Sequence, residues 1–215
     1  MQLLSVNIGQ KRTQPNGNKI ETTGIYKTST PGPVHIGSLG IRDDFIGSPK
    51  HHGGPDQAIY IYGKPDYDWW SEELGKELVP GTFGDNLTIS ELESARFRIG
   101  DRFNIGSAIL EVTAPRIPCS TLASRMGDPQ FVRKYRRAER PGLYCRVIRE
   151  GDVQTGEAVG LESFTGETIM AIELFRDYYQ TRKDEETLRR FLRAPIAIRA
   201  RKDVETDLQK LLEQR

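Results

Sequence analysis

The sequence is short of cysteine and histidine, with two of the first and three of the second in 215 residues. Two cysteines, Cys119 and Cys145, cannot build a disulfide framework, so a reducing, cytoplasmic setting is expected. No Cys or His falls at zinc-finger spacing, and the adjacent His51 and His52 cannot share one strand face, so a zinc site is not expected. No apolar run approaches the roughly 18 residues of a membrane span. Mean hydropathy is −0.56, and the N-terminal MQLLSVNIGQ lacks the basic-then-apolar order of a secretory signal. Charge of one sign is also missing. Thirty-one Lys and Arg face 30 Asp and Glu, a net charge of +1, which argues against a nucleic-acid coat or a polybasic membrane binder. There is no Walker motif, no Gly-x-Gly-x-x-Gly opening a helix and no Gly-x-Ser-x-Gly elbow. What remains is a soluble chain long enough for one large domain, or a medium one with an appendage.

A further absence is positional. All 21 glycines lie at or before Gly166, and only one of the 12 prolines, Pro195, lies beyond it. Glycine and proline punctuate turns, and their absence permits helices. The chain therefore changes character near Gly166, and the expected division is a β domain over 1–165 and a helical appendage over 166–215.

The first region reads as short extended segments: Leu3–Ile8, Ala58–Tyr62, Asn86–Ile89, Phe103–Ile105, Ala108–Thr113 and Gly142–Ile148. Turn signals bound them, among them Pro15-Asn16-Gly17, Gly53-Gly54-Pro55 and Gly151-Asp152. That rhythm predicts an all-β barrel or sandwich. Two helical islands interrupt it. Asp66 is placed to cap a helix bearing Trp69, Trp70 and Leu74, closed by Gly75. Asp128-Pro129 is placed to start another over Gln130–Arg137. The tail predicts three helices: one capped by Thr168, carrying Ile172, Phe175 and Tyr179; one capped by Asp184, with Leu188, Phe191 and Leu192; and one from about Arg201, with Val204, Leu208, Leu211 and Leu212.

Chemistry is expected around Cys119. Pro115 and Pro118 end a strand and hold an irregular loop, and Arg116 lies three residues before the sulfur, where a cation favours thiolate. The alternative is a small buried hydrophobe, the reading that suits Cys145. Between Arg125 and Arg149 eight basic residues face only Asp128 and Glu139. They form either an anion pocket beside the thiol or a solvated helix face. In Lys50-His51-His52-Gly53-Gly54 the glycine pair would let backbone N–H groups approach a ligand, with Lys50 and His51 as donors, or would make only a tight turn. The segment Gly81–Thr88, with Asp85, Asn86 and Thr88, either fixes a loop or bonds a polar ligand.

Taken in order, HHGGPDQAIYIY, GTFGDNLT, IGDRF, PRIPCSTL and GLYCRVIREGDVQTGE resemble MOSC proteins of the YiiM type, over roughly residues 1–165, and the tail resembles the three-helix appendage of that subfamily. The resemblance implies a mainly β, barrel-like domain with short helices, followed by a small helical subdomain. It implies the molybdenum cofactor, a metal held by a pterin dithiolene with a terminal phosphate. Cys119 matches the cysteine that completes the metal's coordination, and a soft thiolate suits that metal. For the pterin it points to Lys50, His52, Gly53, Gly54, Asn86, Thr88, Arg116, Ser120 and Arg125. Asp85 stands where relatives commonly carry glutamate and is given no catalytic role.

The activity implied is reduction of N-hydroxylated purines and hydroxylamines to amines, with His51 or His52 as proton source. Pyridoxal phosphate is not expected. The chain has no flavin or nicotinamide fingerprint, so a separate reductase is expected to supply electrons, and the charged tail is either its docking surface or a merely solvated helix surface. A monomer or homodimer is expected. Two other classes stay open: a carrier that holds the cofactor or a sulfur atom on Cys119 without turnover, and an assembly protein with a vestigial pocket.

Overall fold

The protein is described from a computed structural model, which covers residues 1–49 and 52–213. Among the described residues thirteen strands are present: β1 (Leu3–Gly9), β2 (Arg12–Asn16), β3 (Lys19–Thr23), β4 (Lys27–Ser29), β5 (Val34–Gly37), β6 (Gly40–Ile41), β7 (Ile59–Gly63), β8 (Leu87–Ile89), β9 (Arg102–Ile105), β10 (Ala108–Pro115), β11 (Leu143–Arg149), β12 (Gly151–Val153) and β13 (Val159–Glu162). Six helices accompany them: α1 (Lys64–Leu74), α2 (Ser120–Met126), α3 (Phe131–Ala138), α4 (Ala171–Tyr178), α5 (Glu185–Arg193) and α6 (Ile198–Glu213).

Eight strands form one sheet in the order β13-β9-β10-β11-β7-β8-β1-β4. Every neighbouring pair in it is antiparallel except β7 and β8. A parallel pair needs a long crossover, and α1 with the segment after it supplies one. The sheet curls until β1 meets the turn before β13, where Leu3 N–H donates to the Glu157 carbonyl at 2.9 Å and Gly156 N–H to that of Leu3 at 2.8 Å. Strands β13 and β4 nevertheless remain unpaired edges. The expected barrel is therefore an open, curled sheet, because β4 is only three residues long and no ladder joins it to β13.

The pleat sorts the interior into two clusters. In β7, Ile59 and Ile61 enter one cluster, and Tyr60 and Tyr62 enter the other. The same alternation sends Leu143 and Cys145 of β11 to the first and Tyr144 to the second, as a period of two requires. Burial pushes the Cys145 thiol far up, so it stays a neutral packing group. The second cluster is aromatic, built by Tyr62, Tyr67, Trp70, Phe83, Phe131, Tyr135 and Phe175. Its polar tips are satisfied: Trp70 Nε1 donates to Tyr62 Oη at 2.9 Å, and Tyr62 in turn donates to the Arg140 carbonyl at 2.8 Å. The tail helices add Ala171, Leu174, Leu188, Phe191 and Val204 to the first cluster, so appendage and sheet share apolar packing.

Several expected boundaries move. Asp66 does not cap α1. That helix starts at Lys64-Pro65 from an extended Gly63, and Asp66 turns inward to accept from Ser94 N at 3.0 Å and Arg140 Nη1 at 2.8 Å. Helix α3 begins after Gln130 rather than Asp128, whose Oδ1 accepts the Gln130 N–H at 2.8 Å. Met170, not Thr168, precedes α4, because Met170 bridges to Arg98 and extends the chain one step further. Gly151-Asp152, expected as a turn, lies in a strand that pairs with β5. Helix α6 opens at Ile198, ahead of Arg201. Asp184 does cap α5, accepting the Thr187 N–H at 2.8 Å.

Candidate active site

Strand β10 ends at Pro115, residues 116–119 form the expected irregular loop, and α2 starts at Ser120. Cys119 sits at the helix start with extended φ and ψ of −127° and 171°, and its carbonyl accepts the Leu122 and Ala123 N–H groups at 3.1 and 3.2 Å. Burial pushes the thiol up. The His52 hydrogen bond, the Arg116 charge, the Leu122 N–H and the His52 charge outweigh it and bring Cys119 down to about 6. At neutral pH the sulfur is chiefly thiolate, the form that acts as nucleophile and ligand.

Arg116 is 4% exposed. It donates to the Phe83 carbonyl and lies over the Tyr60 ring at 4.9 Å, while its Nε is buried without a partner. A guanidinium with a spare donor is prepared for an acceptor that is not part of the fold.

The two groups face a solvent-open cleft with ≈ 690 Å³ of empty space, lined also by His52, Gly53, Lys27, Asp44, Asn86, Tyr60, Tyr144 and residues 21–25 and 45–48. Its floor is an ion pair between Lys27 and Asp44, both nearly buried. Asp44 also accepts Gly9 N–H at 2.7 Å and Asn86 Nδ2 at 2.8 Å. Burial lowers the Lys27 pKa, and Asp44 opposes that shift. The wall is backbone packed on backbone: a Cβ at Gly24 would stand 1.7 Å from the Phe45 carbonyl oxygen. The helical tail braces the histidine loop, since Ile198 N–H donates to Asp56 Oδ2 at 2.6 Å and Arg199 reaches Gln57 Oε1 and the Pro49 carbonyl, each at 3.0 Å.

The cleft brings together Cys119, His52, Gly53, Asn86 and Arg116 of the residues expected from sequence. Lys50 and His51 lie outside the described residues. Thr88 does not line the cleft; it is buried and donates to Asp85 Oδ2 at 2.7 Å. Asp85 is likewise buried, accepts Tyr67 Oη at 2.6 Å, and has its pKa raised by burial. Ser120 is taken by Asn16 Nδ2 at 2.9 Å, and Arg125 lies over Tyr26 at 4.5 Å. Gly54 starts a short 3-10 turn just outside the lining. Asn86 faces the cleft, but its amide is already committed, accepting the Tyr60 N–H at 3.1 Å as well as binding Asp44.

The basic segment does not converge on the thiol. Lys134 pairs with Asp128, Arg140 with Asp66, and Arg146 with Asp56 and Glu111. Arg136 covers Tyr179, whereas Arg133 and Arg137 are exposed on α3. Sequence reading missed Lys27, Asp44, Tyr60 and Tyr144. Lys27 stands alone in a three-residue strand, and no local pattern in the sequence announces its partner.

A family model described as the MOSC domain matches residues 48–160. The chain is 34% identical over 192 residues to the uncharacterized protein YflK of Bacillus subtilis, covering 88% of this chain and 86% of that one. It is 32% identical over 163 residues to a protein of Gibberella moniliformis named a reductase, covering 74% of this chain but 29% of that protein. Among solved structures, YiiM from Geobacillus stearothermophilus superposes with a TM-score of 0.80 at 25% identity, covering 96% of this chain and 98% of its own.

Proposed function

The chain belongs to the MOSC domain family, as a protein of the YiiM type, and on that premise we propose that it is a molybdenum-cofactor-dependent reductase of N-hydroxylated compounds. The observation that carries this reading is the meeting of Cys119, His52 and Arg116 on one cleft, where the thiol is brought down to about 6. Among the described residues no cluster of three or more His, Cys, Asp or Glu could hold a metal ion. A metal bound by a pterin dithiolene would bring most of its ligands with it and need only Cys119 from the protein. The relative named a reductase points to the direction of the chemistry.

The residues present fit the group. Cys119 would be the protein's ligand to the metal. Arg116, with its spare Nε–H, together with the glycine loop at Gly53, would receive the anionic pterin tail, and Lys50 is a further candidate by sequence. When bound, the cofactor supplies a two-electron couple that accepts oxygen from the substrate. The net change converts R–NHOH, two electrons and two protons into R–NH2 and water. His52 lines the cleft with Cys119 and is the described residue we assign as proton carrier there. Electrons would come from a separate reductase.

The test is metal and pterin analysis of protein made in a cofactor-competent host, followed by anaerobic turnover of an N-hydroxylated purine with an artificial donor. Wild type should retain molybdenum and pterin and turn over, and Cys119→Ala should lose turnover. Cofactor retained without turnover under any donor would instead make the protein a carrier. Protein without molybdenum or pterin would end the reading.

A further inference from the structure

The β2–β3 hairpin stands apart from the main sheet but is tied to the first turn of α2. Gln14 Nε2 donates to the Thr121 carbonyl at 3.1 Å, and Asn16 Nδ2 donates to Ser120 Oγ at 2.9 Å. Thr121 Oγ1 returns a bond to Glu21 Oε2 at 3.1 Å. The same carboxylate accepts Gln14 Nε2 at 2.6 Å and Asn16 Nδ2 at 2.8 Å. Glu21 is therefore the point where both strands of the hairpin and the helix meet. Gln14 is its direct cross-strand partner, so the register of the hairpin puts the carboxylate there.

A second contact holds the far end of the helix. Arg12 of β2 and Arg125 in the last turn of α2 both lie over the Tyr26 ring, at 4.6 and 4.5 Å. Helix α2 has only seven residues, too few to hold itself in water. What ties its first turn thus decides where the preceding Cys119 sulfur stands relative to His52 and Arg116.

We propose that the β2–β3 hairpin is a strap that positions Cys119, with the Glu21 carboxylate as its fastening point. Glu21 acts through Thr121 and α2, which makes it a positioning residue. Glutamate serves better than glutamine, because donors meet both oxygens, Gln14 on Oε1 and Asn16 and Thr121 on Oε2, and an amide would turn its NH2 against a donor in either orientation. The strap concerns how the thiol is held, so it stands or falls independently of the cofactor reading.

Amide hydrogen exchange on the full chain, without added cofactor, tests it. The Leu122 and Ala123 amides close the first turn on the Cys119 carbonyl and report its opening. In Glu21→Gln they should exchange about tenfold faster, the size of one lost hydrogen bond, while amides of β10 and β11 keep their rates. Thr121→Val should loosen the same two amides, and Thr121→Ser, which keeps the hydroxyl donor, should restore them. This rescue separates positioning from general stability and decides the matter alone if Glu21→Gln does not fold. Wild-type exchange at Leu122 and Ala123 in Glu21→Gln, or a serine variant that behaves like valine, would overturn the strap.

Discussion

His52 and Cys119 come from different loops and line the same cleft, where His52 and Arg116 together hold the thiol down. Each loop is held from outside, the first by α6 and the second by the β2–β3 hairpin. The consequence is a sulfur whose charge is set by tertiary neighbours rather than by its own segment.

That charge predicts the pH profile of alkylation. Iodoacetamide should modify Cys119 with a rate that rises through about pH 6 and is flat above, while Cys145, fully buried, stays unmodified in the folded protein. His52→Gln and Arg116→Met should each move the midpoint upward, towards the ordinary thiol near 8.5. A midpoint that stays in place in both would contradict the electrostatic assignment.

The same depression carries a stability consequence with a definite sign. The folded thiol holds its proton less tightly than the unfolded one, so folding is favoured where the unfolded group would be deprotonating. The contribution is complete above about pH 8.5 and is lost as pH falls through about 6. Comparison of denaturation midpoints for wild type and Cys119→Ala between pH 5 and 9 should show the difference shrinking on the acid side.

Lys27 and Asp44 make a nearly buried ion pair whose breaking should cost more than its removal. Lys27→Met should destabilise by roughly 3–5 kcal/mol, because it leaves a buried carboxylate uncompensated. The double variant Lys27→Met/Asp44→Asn, which keeps an acceptor for the Gly9 N–H, should recover part of that loss. Urea titration of the three proteins measures it, and equal losses in single and double variants would contradict the pairing.

Gly24→Ala tests the cleft wall. Its Cβ would stand 1.7 Å from the Phe45 carbonyl oxygen, so the loop over 43–48 must shift, at a cost of about 1–3 kcal/mol or more. Thermal denaturation should show the loss, and a midpoint equal to wild type would mean that the wall yields freely.

Much of the frame was legible because it is written locally. The alternating Ile-Tyr-Ile-Tyr of β7 assigns its own faces, and Asp184 announces α5 by capping chemistry that needs only the next three residues. Cys119 was legible too, through its prolines and Arg116. Asp66 was misread because its pull inward comes from Arg140 and Ser94, far along the chain. The basic run from Arg125 to Arg149 was ambiguous for the same reason: whether an arginine is free depends on carboxylates such as Asp56 and Glu111, which the run does not contain.

The sequence by itself determined the periodic strands, the glycine-free helical tail and the family motif around Cys119, because each depends on residues within a few positions of one another. Only the tertiary structure decided that the sheet stays open, that Lys27 meets Asp44, and that Glu21 reaches Thr121. Hydrogen bonds and ion pairs between distant segments exist only once the chain has brought those segments within about 3 Å, and the thiolate at the centre of the cleft is a product of such meetings.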